Sequence, residues 1–157
     1  MQKAPAIHLW LVLWKAHDAL REHAVRDISA TGLGFSDFAV LEALLHKGPM
    51  PVNAIGPKVC LTPGSISVAI DRLERKALVE RKLDPDDRRA RIVHLTADGC
   101  ALIGGAFAGH EAAMARAVSG LSAVERAEAV KLLRKLGKKA RLLLDESDAR
   151  LKASNIQ

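Results

Sequence analysis

Residues 61–99 read LTPGSISVAIDRLERKALVERKLDPDDRRARIVHLTADG. The stretch opens with Thr62 and Pro63, a hydroxyl placed to cap a helix and a proline at its first turn, where the missing N–H costs nothing. Ile66, Ala69, Ile70 and Leu73 then recur at helical spacing to near Ala77. The period changes at Leu78. Residues 78–83 and 91–95 alternate as two short strands, and Asp84-Pro85-Asp86-Asp87-Arg88-Arg89 between them is a polar turn. Just upstream, Val52, Ile55 and Val59 mark a short helix over about 52–60. A short helix, a few connecting residues, a second helix and a hairpin make a helix-turn-helix followed by a wing.

Outward from this centre the chain is helical. Leu9, Val12, Leu13, Ala16 and Leu20 form one apolar face of a helix over about 7–29, and Trp10, Trp14 and His17 form another. A helix apolar on two sides needs two neighbours, and in a chain of 157 residues one of them is expected to be a second subunit. Ser36 can cap a helix to about Lys47 with Phe38, Leu41, Leu44 and Leu45 inward, closed by Gly48 and Pro49. Beyond the wing, Thr96 caps a long helix to about Val118. Ser122 and Glu125 form a capping box for a last helix to about Asp145, with residues 151–157 expected to fray. The fold class is therefore mainly α with a small β-hairpin wing. It divides into an N-terminal helix (1–35), a winged helix-turn-helix domain (36–99) and C-terminal helices (100–157).

Composition excludes several classes. With 49% hydrophobic and 27% charged residues the chain has enough apolar surface to fold, so disorder is excluded. Two cysteines, Cys60 and Cys100, make no disulfide framework and point to reduced thiols in a cytoplasmic setting. The most apolar run, residues 4–14, is interrupted by His8 and is too short to span a bilayer, so no membrane role is expected. The formal charge of +6 favours a polyanionic partner. Aromatic residues are 3% and tyrosine is absent, which disfavours stacking on single strands and leaves duplex DNA. The six histidines are dispersed, with no i, i+4 pair, so no metal or other cofactor is expected. Asp84, Asp86 and Asp87 lie on a turn beside two arginines, and no residue set supports catalysis; the protein does not read as an enzyme.

The stretch from Ser36 through Gly99, with FAVLEALLHKGPMPVNAIGPKV and the residues quoted above, resembles the winged helix-turn-helix of the multiple antibiotic resistance regulator (MarR) family. Its most specific element is the D-x-R of the wing, Asp87 and Arg89, followed by V-x-L-T-x-x-G. The resemblance covers about residues 7–144. LWLVLWKAHDAL, GSISVAIDRLE and LLRKLGKKA look most like the family's repressors that respond to methylhydroquinones and catechols. Ala77 departs from the pattern: the family commonly has glycine there, so a different helix exit is expected.

The resemblance implies a homodimer in which the first and last two helices interlock and two winged lobes straddle a pseudo-palindromic operator. In the recognition helix, Ser65 and Ser67 can reach phosphates or base edges, Val68 a thymine methyl, and Arg72, one turn further on, a phosphate. Capping of the helix start is the other reading of the serines. At the wing tip Asp87 would aim Arg89 into the minor groove, whose narrowing deepens its negative potential, with Arg88 on a phosphate. Between Lys58 and Arg91 basic residues outnumber acidic ones only by three, so charge alone does not decide the interface. The denser run from Lys131 to Arg141 reads as a solvated helix face. The family's effector crevice lies between the dimerisation helices and the winged lobe, which makes Trp10, Trp14, His17, Phe38, Phe107 and His110 candidate walls for a small phenolic or quinone-like ring; dimer core is the alternative reading of these rings. Two other functions stay open: a redox or electrophile sensor using Cys60, which lies near helix ends that lower a thiol pKa, and an architectural DNA-binding protein without an effector.

Overall fold

The structure, a computed structural model, describes residues 5–59, 61–84 and 90–154, the side chains only as far as Leu151. Its elements are α1 (Ala6–Ala30), α2 (Phe35–Lys47), β1 (Met50–Pro51), α3 (Val52–Val59), α4 (Pro63–Arg75), β2 (Val79–Leu83), β3 (Arg91–Leu95), α5 (Ala97–Ala117) and α6 (Ala123–Ser154). The expected class, mainly helical with a small antiparallel sheet, is the one observed. The chain falls into two compact units, residues 1–117 and 118–157.

The core of the first unit is built where the apolar periods predict. Phe38, Val40, Leu41 and Leu44 of α2 and Ile55 of α3 meet Ile66, Ala69, Ile70 and Leu73 of α4. Val79, Val93, Ile28 and Ile103 close the cluster from the sheet, α1 and α5. Each such side chain contributes roughly 1.5–3 kcal/mol by leaving water, which makes the winged lobe the stable body of the chain.

The wing strands pair antiparallel from Val79↔Leu95 to Leu83↔Arg91. A third strand joins them that the sequence does not announce: Met50 and Pro51 pair with Val93 and Ile92, giving the order β1-β3-β2. Two residues carry no alternation to detect, and Pro51 is tolerated because β1 lies at the sheet edge.

The exit of α4 corrects the expectation at Ala77. Its φ of 55° is the left-handed conformation that glycine would supply, so the exit keeps the usual geometry with an unusual residue. The Ala77 N–H donates to the Glu74 carbonyl at 2.9 Å and the Leu78 N–H to the Leu73 carbonyl at 2.9 Å, the two bonds of a Schellman cap. Thr96 donates its hydroxyl to the Ala77 carbonyl and its N–H to the Leu78 carbonyl, clamping the cap to the start of α5. Gly99 is required by the same junction. A Cβ there would lie 1.9 Å from the Leu78 carbonyl oxygen.

Two helix limits differ from expectation. Helix α2 begins at Phe35 with Gly34 as N-cap, so Ser36 lies inside it and does not cap. Helix α6 starts at the expected capping box, with the Glu125 N–H donating to Ser122 Oγ and the Ser122 N–H to Glu125 Oε2. It continues to Ser154, well past Asp145, because residues 146–154 contain neither glycine nor proline to stop it.

Candidate nucleic-acid interface

Helix α4 is buried on one side and bare on the other. Ile66, Ala69, Ile70 and Leu73 face the core, while Ser65, Ser67 and Val68 are exposed, Val68 at 54%. The expected cap is present: Thr62 Oγ1 accepts the Ser65 N–H at 3.2 Å. The Thr62 and Ser65 hydroxyls lie 2.9 Å apart, and Ser67 Oγ donates to the Pro63 carbonyl at 3.2 Å. Both serines therefore serve the helix start while facing solvent. Val68 is the large side chain of this bare face, and no hydrogen-bond readout arises from it.

The charged residues near this face are mostly committed to one another. Arg72 reaches back to α2: its Nη2 donates to Asp37 Oδ1 at 2.6 Å and to Ser36 Oγ at 3.0 Å, and its Nε to Asp37 Oδ1 at 3.1 Å. The hydrogen bond to Asp37 raises the Arg72 pKa above the ordinary arginine value. Asp37, at 2% exposure, is the buried charged residue of the described core. Sequence reading missed it; the one sign was an acid next to Phe38 at the start of the apolar stretch from Phe35 to Leu45. On the other flank Arg81 of β2 pairs with Asp71 at 2.5 Å and with Glu74, tying the wing to α4. Burial works against the Arg81 charge, and the bonds to Asp71 and Glu74 outweigh it and raise its pKa. Lys82 pairs with Glu80 at 2.7 Å.

Asp87, Arg88 and Arg89, the expected wing-tip contacts, lie outside the described residues, as does Cys60. The strands that carry the tip are described to its base, where the Asp84 N–H donates to the Ala90 carbonyl at 3.2 Å.

The six expected effector residues do not line one cavity within the chain. Trp10 and Trp14 are a tilted pair, centroids 6.1 Å apart, more than half exposed on α1, with His17 exposed beside them. Phe38 is a core residue at 1% exposure. It meets the edge of His110 at 4.9 Å, His110 Nδ1 lies 2.8 Å from Asp27 Oδ2, and Phe107 packs on His46 at 4.5 Å. At 1.5 Å rise per residue, Trp14 and Asp27 stand about 20 Å apart along α1, which separates the tryptophans from the imidazole group. A shallow hollow on α1 is lined by Arg21, Glu22, Val25 and Arg26. Among the described residues no group of His, Cys, Asp and Glu could hold a metal, and no single helix is long and apolar enough to cross a membrane. Cys100 is a free, exposed thiol.

A two-helix motif whose second helix keeps one free face, followed at once by a hairpin, defines a winged-helix DNA-binding transcriptional regulator. Known proteins agree. The profile of the MarR family matches residues 36–90. The HTH-type transcriptional regulator MhqR of Bacillus subtilis is 36% identical over 136 residues, covering 87% of this chain and 94% of the relative. The chain belongs to the MarR family, whose matching relatives are named as regulators of transcription, and it is a regulator of that kind rather than an enzyme. Bordetella bronchiseptica BpsR, solved in a study of how 6-hydroxynicotinic acid regulates its DNA binding, superimposes with a TM-score of 0.74 at 28% identity over 85% of this chain and 93% of that one. A mutant Escherichia coli MarR complexed with operator DNA shares the fold, with a TM-score of 0.73 at 22% identity over 82% of this chain and 92% of that one.

Proposed function

We propose that this chain is a cytoplasmic, ligand-responsive repressor that binds a pseudo-palindromic operator as a homodimer and is released by a small phenolic or quinone-like effector. The bare face of α4 carries the reading: Ser65, Ser67 and Val68 are exposed to solvent on a helix whose opposite face is locked in the core. Two such helices enter successive major grooves, and Arg89 of each wing, oriented by Asp87 and flanked by Arg88, enters the minor groove.

The homodimer is supported by exposed apolar side chains among the described residues. On α1, Ile7, Leu9, Trp10, Val12 and Trp14 are each at least half exposed, and on α6, Leu132, Leu133, Leu136 and Leu143 recur at helical spacing and are exposed. Exposed apolar stripes of this length mark association surfaces. Segments 1–35 and 100–157 then serve dimerisation around the DNA-binding segment 36–99. The effector site is completed in the dimer, where Trp10, Trp14 and His17 of one copy come against the Phe107 and His110 surface of the other, with Phe38 behind His110. The BpsR study supports control of such a protein by a small aromatic ring.

A gel-shift titration on the duplex upstream of the chain's own gene, with and without catechol and methylhydroquinone, tests this reading. A retarded complex that the phenolics dissolve is the expected result. A complex that forms but ignores them leaves an architectural protein in its place.

A further inference from the structure

We propose that Arg72 is a positioning residue: through Asp37 and Ser36 it sets the rotation of the recognition helix α4 and does not itself bind a phosphate. The inference rests on the operator reading above and assigns one residue within it. Ser65, Val68 and Arg72 follow one another at i, i+3 and i+7, so they share a face of α4. The outer part of that face is bare, and its last member is tethered. The Arg72 guanidinium meets both oxygens of Asp37, at 2.6 and 3.1 Å to Oδ1 and 3.3 Å to Oδ2, and meets Ser36 Oγ at 3.0 Å. The Asp37 side chain is 3% exposed and that of Arg72 37%.

Each side of the pair has a reason to stay. A carboxylate taken out of water needs a cation with good geometry, and Arg72 supplies a forked one. Asp37 also sits in the first turn of α2, where the helix dipole favours its charge. The apolar contacts of Ile66, Ile70 and Leu73 hold α4 against the core but carry no direction. The bidentate pair does. A rotation of about 10° moves the tip of a helix side chain by about 1 Å, given a helix radius of roughly 5–6 Å with side chains, and that is enough to lose a base-edge contact. Arg81, paired to Asp71 and Glu74, holds the other flank, so α4 is fixed between α2 and β2.

The two roles of Arg72 separate by salt and by sequence. Binding is measured by fluorescence anisotropy across a KCl series, using a duplex selected from a random pool by the wild-type chain and an unrelated duplex of equal length. Asp37→Asn, Arg72→Met and the neutral pair Asp37→Asn/Arg72→Gln are compared with wild type, with folding followed by circular dichroism. Loss of the base register predicts about tenfold weaker binding of the selected duplex by either single variant, with little change on the unrelated one. The slope of log K against log[KCl] stays at the wild-type value. The neutral pair, which can still hydrogen-bond across the two helices, recovers part of the loss and carries the test alone if a single variant fails to fold.

A phosphate contact gives the opposite pattern. Arg72→Met then lowers the salt slope by about one and weakens both duplexes alike, and Asp37→Asn, which removes a negative charge, binds at least as well as wild type. That pattern overturns the inference, as does a neutral pair whose losses simply add. A wild-type chain that selects no duplex overturns the operator reading instead.

Discussion

Replacing Ala77 by glycine is expected to make the protein more stable. Ala77 holds φ at 55°, and its conformation is imposed from both sides. The two bonds of the α4 cap fix it from within, and the Thr96 hydroxyl fixes its carbonyl at 2.7 Å. An L-residue with a Cβ bears about 1–2 kcal/mol of strain in that region. Glycine removes the strain and, in the unfolded chain, gives back about 0.4–1 kcal/mol through its greater freedom. Ala77 is exposed, so losing its methyl forfeits almost no packing. The net gain is about 0.5–1 kcal/mol, equivalent to roughly 1–4 °C in Tm for a chain of this size. Urea melts followed by circular dichroism, at matched protein concentration, measure it. Ala77→Val, with a branched Cβ, should move the midpoint the other way. If glycine leaves the midpoint unchanged or lowers it, the left-handed cap is not the conformation that limits α4, and the account of this junction is wrong.

Gly99→Ala should destabilise the winged lobe by more than about 3 kcal/mol, because its methyl would overlap the Leu78 carbonyl at 1.9 Å with backbone on both sides; a thermal melt decides it. Arg89→Ala should weaken operator binding by at least about 1 kcal/mol with no change in sedimentation behaviour, and equal affinity in a gel shift would remove the wing from the interface. The helix start at Ser122 should depend on pH. The Ser122 hydroxyl and N–H donate to Glu125 and hold its carboxyl below the ordinary range. A depressed carboxylate contributes stability that is complete above its unfolded pKa and is lost as pH falls through the folded one, so the cap should be intact at neutral pH and released in acid. Amide exchange at residues 123–126 should rise in acid beyond its intrinsic pH trend in wild type but not in Glu125→Gln.

What the sequence made legible was what neighbouring residues determine among themselves. Thr62 and Pro63 announce the start of α4, Ser122 and Glu125 that of α6, and the change of period at Leu78 the wing, because each involves groups within about four residues. The features that escaped are those decided across the chain. Nothing near Met50 says that it will pair with Val93, 43 positions on, and nothing near Asp37 says that its partner is Arg72, 35 positions on. Arg72 shows the consequence for a functional site. Helical spacing places it correctly beside Val68, and from spacing alone a cation on that face is a phosphate contact. Spacing cannot show that a carboxylate buried on another helix already holds it. A basic residue on a recognition helix thus counts toward the DNA only after the acids of the neighbouring elements have been assigned. Here Asp37 holds Arg72, and Asp71 and Glu74 hold Arg81, within the folded chain itself.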